Sequence, residues 1–402
     1  MRTTDKVTMA IVAISAATLL VFASVIGAAN HASAQSPTTL NGAGATFPYP
    51  LIDTWRIEYS TDNPRVNINY QSIGSGGGIK QFTEKTVDFG ASDAPMTQVQ
   101  RQLLDGTVVH IPETIGSIAA VYNIPEVPSK GLKLTGGVLS SIFLGKITKW
   151  DDPQIKQLNP DLQLPSTDIT VVHRSDGSGT TFVWTSYLSM VSQEWNDTVG
   201  KGTAVQWVTG IGSPGNEGVA NSVKTTPYAI GYVELAYALT TKMPYAYLQN
   251  HDKSNFVEPS LESTRQAVES LSTILPAGEE SWESVSLLDA PGNNSYPIAS
   301  FSYILLYKDL STNPGVSKEE AEALVRFVSW AVTDGQQYSE RLSYVPLPQT
   351  VVDHNLKTLR GLTYEETSLA TAVVPEFPIM AVLILAPVLI SVMAVQRMHR
   401  AR

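Results

Sequence analysis

The stretch Ile169-Thr170-Val171-Val172-His173-Arg174-Ser175-Asp176-Gly177-Ser178-Gly179-Thr180-Thr181-Phe182-Val183-Trp184 reads as a β-strand, a glycine-rich turn carrying a guanidinium, and the start of an amphipathic helix. Such a turn suits an anion. The first turn of a helix presents backbone N–H groups with no intrahelical partner, and aligned peptide dipoles place partial positive charge there. Glycine lets a ligand approach the backbone, Ser178 and Thr180 add hydroxyl donors, and the planar fork of Arg174 can grip two oxygens.

The arrangement occurs twice more. Val66, Ile68 and Tyr70 alternate with polar residues in a strand leading into Gly74-Ser75-Gly76-Gly77-Gly78, after which Ile79-Lys80-Gln81-Phe82 reads as helix. Nearer the start, Asn41-Gly42-Ala43-Gly44-Ala45-Thr46-Phe47 precedes a helical run in which Leu51, Ile52, Trp55 and Tyr59 share one face. One turn rich in Gly and Ser is ordinary connection geometry. Three of them, one carrying Arg and Asp, point to a shared anion site.

At 402 residues the chain is too long for one ordinary core and fits two lobes. Hydrophobic residues at 43% and charged ones at 16% describe a globular protein. A net charge of −10 argues against nucleic acid or an acidic membrane surface as partner. It also means that any anion is held by local dipoles and one or two buried cations, because the overall field opposes it. With no cysteine, disulfides, thiolate catalysis and Cys-type zinc sites are excluded.

The ends of the chain have a different composition. Residues 1–34 carry Arg2 and Lys6, an apolar run and Ala32-Ser33-Ala34, the pattern of a signal peptide cleaved before Gln35, with an uncleaved anchor as the alternative. Near the other end, Pro375-Glu376-Phe377-Pro378 precedes an apolar stretch from Ile379 to Val395 and then basic residues. That order fits a short membrane-spanning or sorting segment (377–397) on a stalk (363–376), with the arginines on the cytoplasmic side and the folded part outside.

Within the body, short β-rich runs alternate with helical ones, as in an α/β fold with its loops gathered at strand ends. Ser317 and Glu320 form a capping box for a helix burying Ala321, Leu324, Val325 and Val328. The stretch from His251 to Ser295 has one helical pattern, Leu261, Val268, Leu271 and Leu275, and reads as surface-facing. Gly145-Lys146-Ile147 lacks the residues of a P-loop, and no G-x-S-x-G elbow surrounds Ser75 or Ser178. His110, His173, His251 and His354 have no metal-ligand spacing and read as loop or strand-end residues, His173 lying beside Arg174. Asp93 follows the strand Val87-Asp88-Phe89, where a carboxylate commonly caps a helix. In an anion site it has another use, because it tolerates only a ligand that donates a proton, as phosphate does near neutral pH and sulfate does not.

Gly42 to Pro48, Gly74 to Gly78, Val87 to Pro95, Leu144 to Asp152, Arg174 to Thr180 and Ala229 to Glu234 together resemble the phosphate-binding protein of the bacterial and archaeal high-affinity phosphate ABC transporter, in the family's order. The resemblance implies an α/β, two-lobed, hinged periplasmic-binding-protein fold of type II that encloses phosphate. Its lobes would be residues 36–115 with 290–362, and 116–289. Thr46, the backbone N–H of Phe47, and Ser75 would donate from one lobe. Arg174, Ser178, Gly179 and Thr180 would close from the other, with Asp176 orienting Arg174 and Asp93 accepting the ligand's proton. Gly76 stands where many members have a second serine, which removes one hydroxyl.

The function so implied is capture of inorganic phosphate outside the cytoplasm by a monomer and delivery to permease subunits, with no cofactor, metal or bond-breaking chemistry. The membrane tail adds tethering at the outer face of the cell. Sulfate, molybdate or arsenate as the anion, and a secreted phosphomonoesterase with Ser178 or Ser75 as nucleophile, are the alternatives.

Overall fold

The computed structural model describes residues 37–127, 130–269 and 275–373. The leader and the C-terminal apolar segment expected above lie outside these residues. From Thr39 onward the described residues belong to one compact unit. Its elements alternate as β1 (Thr38–Gly44), α1 (Tyr49–Asp62), β2 (Val66–Ser72), α2 (Ser75–Thr83), β3 (Phe89–Ser92), α3 (Gln98–Gln102) and the long β4 (Val108–Tyr122). Then come β5 (Lys133–Leu134), α4 (Gly136–Phe143), α5 (Pro153–Leu158), β6 (Thr170–Arg174), α6 (Gly179–Val191), α7 (Gln193–Thr198), β7 (Ile211–Ser213), α8 (Gly215–Thr225), β8 (Ala229–Glu234) and α9 (Leu235–Thr240). The chain continues through β9 (Tyr247–Gln249), β10 (Phe256–Val257), α10 (Leu261–Glu269), β11 (Ala299–Tyr307), α11 (Lys318–Ala331), α12 (Gln349–Arg360) and the hairpin β12 (Thr363–Tyr364) and β13 (Thr367–Ser368).

Eight strands are hydrogen-bonded in the order β2-β1-β3-β11-β4-β8-β6-β7. Strand β4 belongs to both halves of this series: Val108 to Ser117 pair antiparallel with β11, whereas Ile118 to Tyr122 pair antiparallel with β8. On one side β11 runs antiparallel to β3, which is parallel to β1; on the other β8, β6 and β7 are mutually parallel. The partner switch inside one strand divides the sheet into two half-sheets, as the expected two-lobed α/β architecture requires. All 15 residues of β4 are buried, as its central place demands.

Local sequence explains the flanking helices. On α1, Leu51, Ile52, Trp55 and Tyr59 are the buried face, and the Trp55 indole donates to Gly335 O at 2.7 Å. Helix α11 starts with the expected capping box, in which Ser317 Oγ accepts from Glu320 N–H and the Glu320 carboxylate accepts from Ser317 N–H. Ala321, Leu324, Val325 and Val328 are buried beneath it. A smaller cluster of Val172, Val219, Val223, Val233 and Leu235 seals α8 and α9 against β6 and β8.

Some expectations differ from what is observed. Trp282, inside the stretch read as surface-facing, is fully buried and packs edge-on against Tyr303 and His354. One large aromatic among acidic and Gly/Asn residues sets no periodicity, so the pattern hid it. His354 lies within α12 and not in a loop or at a strand end, whereas His110 is near the beginning of β4, as expected. The beginning of the expected stalk, residues 363–373, forms the β12–β13 hairpin and a short helical turn that bury Leu369, Ala372 and Val373. Among the described residues no helix is long and apolar enough to cross a membrane.

Replacing Ser317 with Ala should cost about 1 kcal/mol of stability, read as a lower urea midpoint with an unchanged slope. An unchanged midpoint would show that the cap contributes nothing to α11.

Candidate functional site

The three glycine-rich turns meet. Gly74, with φ of 82°, opens α2, and Gly76 N–H donates to Gly177 O at 2.8 Å. A Cβ on Gly74 would lie 2.3 Å from Asp176 Oδ2, and one on Gly76 2.9 Å from Gly177 Cα. The missing second serine therefore has a local counterpart: the space beside residue 76 is occupied by the backbone of the opposite turn. A Cβ on Gly179 would come within 2.5 Å of both Asp93 Oδ2 and Ser75 Oγ, so the start of α6 sits directly on the other lobe's carboxylate and hydroxyl.

The first turn joins them through a residue that sequence reasoning missed. Asn216, in the first turn of α8 and fully buried, donates from Nδ2 to Thr46 Oγ1 at 2.8 Å and to Thr180 Oγ1 at 3.2 Å. Its backbone N–H also donates to Thr46 Oγ1, and its Oδ1 accepts from Glu234 N–H. Phe47 follows Thr46 with its carbonyl accepting from the Tyr344 hydroxyl at 2.6 Å. Thr46, Phe47, Ser75, Asp93, Arg174, Asp176, Ser178, Gly179 and Thr180 are thus gathered in one place. A signal for Asn216 was present, since Gly210-Ile211-Gly212-Ser213-Pro214-Gly215 is a further glycine-rich lead into a helix.

Arg174 is 3% exposed and is held in a bidentate pair, Nε to Asp176 Oδ1 at 2.7 Å and Nη2 to Asp176 Oδ2 at 2.5 Å. Its Nη1 points toward Thr180 Oγ1 at 3.5 Å. Burial works against the Asp176 charge, but the Arg174 bonds and charge and the Gly215 N–H outweigh it and hold the carboxyl below its usual range. Ser178 Oγ accepts from Thr181 N–H as the N-cap of α6 and keeps its own proton for donation. His173 lies outside the cluster, stacked on Trp207 at 4.6 Å with Nδ1 3.0 Å from Arg174 O.

Asp93 does not cap a helix; Thr97 caps α3. Its backbone N–H donates to Ser75 Oγ at 3.2 Å, and Oδ1 accepts from Ser302 Oγ at 2.9 Å. Oδ2 is buried without a protein partner, on the side facing Gly179 and Ser75. Burial pushes this carboxyl up to about 7, while the Ser302 bond, the Arg174 charge and the nearby Ser75 hydroxyl pull it down. Two more buried carboxyls stand nearby. Glu113 is pushed up to about 8 by burial, and Glu234, an N-cap for α9, is raised well above its usual range for the same reason. Neither Glu113 nor Ser302 carries a local motif, because both sit inside strands.

The cluster offers hydroxyls, helix-start N–H groups, one guanidinium and a carboxyl with a vacant oxygen. That set complements a small oxyanion bearing a proton. Among the described residues no group of His, Asp and Glu could hold a metal ion.

Over residues 29–334 the chain matches a family described as a PBP superfamily domain. It is 47% identical over 322 residues to the phosphate-binding protein PstS of Pasteurella multocida, covering 78% of this chain and 88% of that one. It is 39% identical over 341 residues to PstS of Methanocaldococcus jannaschii, covering 81% and 87%. The crystal structure of a phosphate-binding protein from Stenotrophomonas maltophilia has the same fold, with a TM-score of 0.61 at 20% identity over 79% of this chain and 92% of that one.

A carboxyl whose folded value exceeds its unfolded one binds its proton more tightly when folded, so its contribution is present at low pH and is lost as pH rises between the two values. The ligand-free protein should therefore lose stability between pH 4 and 8 through Asp93 and Glu113. Asp93→Asn should flatten that loss, measured as urea midpoints across the range. An equally steep loss in the variant would mean that Asp93 is not a source of it.

Proposed function

The chain belongs to the PBP superfamily and, within it, to the phosphate-binding PstS proteins, and on that premise we propose that it captures inorganic phosphate where the three turns meet and passes it to an ABC permease. One observation carries the reading. Asp93 Oδ2 is a buried acceptor with no protein partner, set beside Ser75 and the N-terminus of α6 and within the field of Arg174. A fully ionised oxyanion would meet repulsion there, whereas a protonated one completes the hydrogen bond.

Thr46, the Phe47 N–H and Ser75 donate from one lobe, and Arg174, Ser178, Gly179 and Thr180 from the other. Residues 36–115 with 290–362 form the first lobe and 116–289 the second, except that the segment around Gly278 and Trp282 packs on the first, against His110, Tyr303 and His354; β4 is the strand about which the lobes close. Closure excludes water and strengthens each charge-assisted bond. The reading is of capture and release without a bond-breaking step; Ser75 Oγ accepts from Asp93 N–H and Ser178 Oγ from Thr181 N–H. The leader and basic-flanked tail support display at the outer face of the cell membrane, with the arginines inside.

Arg174→Ala should weaken phosphate binding by about 1.5–3 kcal/mol, roughly ten- to 150-fold, in calorimetry; unchanged affinity would remove Arg174 from the site. Asp93→Asn should admit sulfate, because the amide no longer repels a ligand without a proton. A variant that still ignores sulfate would sink the acceptor role of Asp93.

A further inference from the structure

Ser302 stands between two buried carboxyls. Its Oγ lies 2.9 Å from Asp93 Oδ1 and 2.9 Å from Glu113 Oε1, and all three side chains are sealed from water. A hydroxyl has one proton to donate. It can satisfy one of these oxygens, and the other contact closes as a hydrogen bond only if that carboxyl is itself protonated and donates into Ser302 Oγ. The geometry therefore requires a resident proton on the Asp93–Ser302–Glu113 chain, since two ionised carboxylates would leave one buried oxygen facing the hydroxyl lone pairs.

The location of that proton decides whether the site can accept a ligand's proton. With the proton on Glu113, Glu113 donates to Ser302, Ser302 donates to Asp93 Oδ1, and Asp93 stays ionised with Oδ2 free to accept. With the proton on Asp93, the direction reverses. The two states interconvert by a paired shift in which Glu113 passes a proton to Ser302 Oγ while the Ser302 proton moves to Asp93 Oδ1, leaving the hydroxyl intact. Among groups around the pair, Arg174 favours the ionised form of Asp93. Glu234 and the hydroxyls of Tyr303 and Tyr344 are electrostatically coupled to Asp93, and that of Tyr70 to both carboxyls. The Arg174 guanidinium acts on Asp93 and not on Glu113, and so favours the arrangement with Asp93 ionised and the shared proton on Glu113.

We infer that Glu113 is a specificity-setting positioning residue: held as a neutral acid and acting through Ser302, it keeps Asp93 the ionised acceptor of a protonated oxyanion. The inference rests on the phosphate reading above and adds to it a pH limit built into the lobe that carries Asp93. Once Glu113 ionises, binding beside Asp93 must be accompanied by uptake of a proton, so affinity falls as pH rises.

The test is calorimetry of phosphate binding from pH 6.5 to 9 in buffers of different ionisation heat, on the parent chain and on Glu113→Gln, whose amide donates to Ser302 Oγ at every pH. The parent should lose affinity above pH 8 more steeply than the variant, by up to about tenfold per pH unit, and should take up more protons on binding at pH 9. If Glu113→Gln does not fold, Glu113→Thr, which also cannot ionise at this position, serves for the same comparison. Equal pH slopes and equal proton uptake in parent and variant would overturn the role of Glu113 alone. Absence of phosphate binding by the parent at pH 7 would overturn the functional reading and this inference with it.

Discussion

Close contact between two glycine-rich backbones governs this molecule. The Gly76 N–H bond to Gly177 O brings the start of α2 against the turn before α6, and it forms only because neither residue carries a side chain. From that contact follow the position of Gly179 against Asp93 and Ser75, the burial of Arg174 and the closeness of Asp176 to Gly74. A methyl group at any of these glycines would separate two helix N-termini whose dipoles are useful only when they converge.

The electrostatics follow from the same closure. A chain of net charge −10 repels anions at a distance, so selectivity is made locally, where water is excluded. Arg174 is the cation in the cluster and is already paired with Asp176, which leaves its Nη1 side and neutral N–H and O–H dipoles to meet a ligand. Burying Asp93, Glu113 and Glu234 nearby would be prohibitive were all three charged. Burial raises all three above the usual carboxylate range, and the Ser302 hydroxyl links Asp93 to Glu113. Under the proposed function, the unpartnered Oδ2 of Asp93 is what distinguishes oxyanions by their proton rather than by their size.

Local features were readable because they are set within a few residues. The capping box of α11, the buried face of α1 and the strand-turn-helix joints at residues 74 and 174 all follow from short-range propensity. Asn216 was readable but unread, being one more glycine-rich entry to a helix. Trp282 was obscured by its polar neighbours, and its burial depends on Tyr303 and His354, far away in the chain.

The sequence by itself determined the anion-suited turns, the α/β alternation and the hydrogen-bonding groups those turns carry, because glycine conformation, helix capping and hydrogen-bonding capacity belong to residues and their immediate neighbours. Only the tertiary structure decided that β4 changes partner between Ser117 and Ile118, that Asn216 bridges Thr46 and Thr180, and that Glu113 and Ser302 stand behind Asp93. These depend on which strands and helices become neighbours. The proton a buried carboxyl holds is set by that company, since burial and facing charges, unlike propensity, do not exist until the chain has folded.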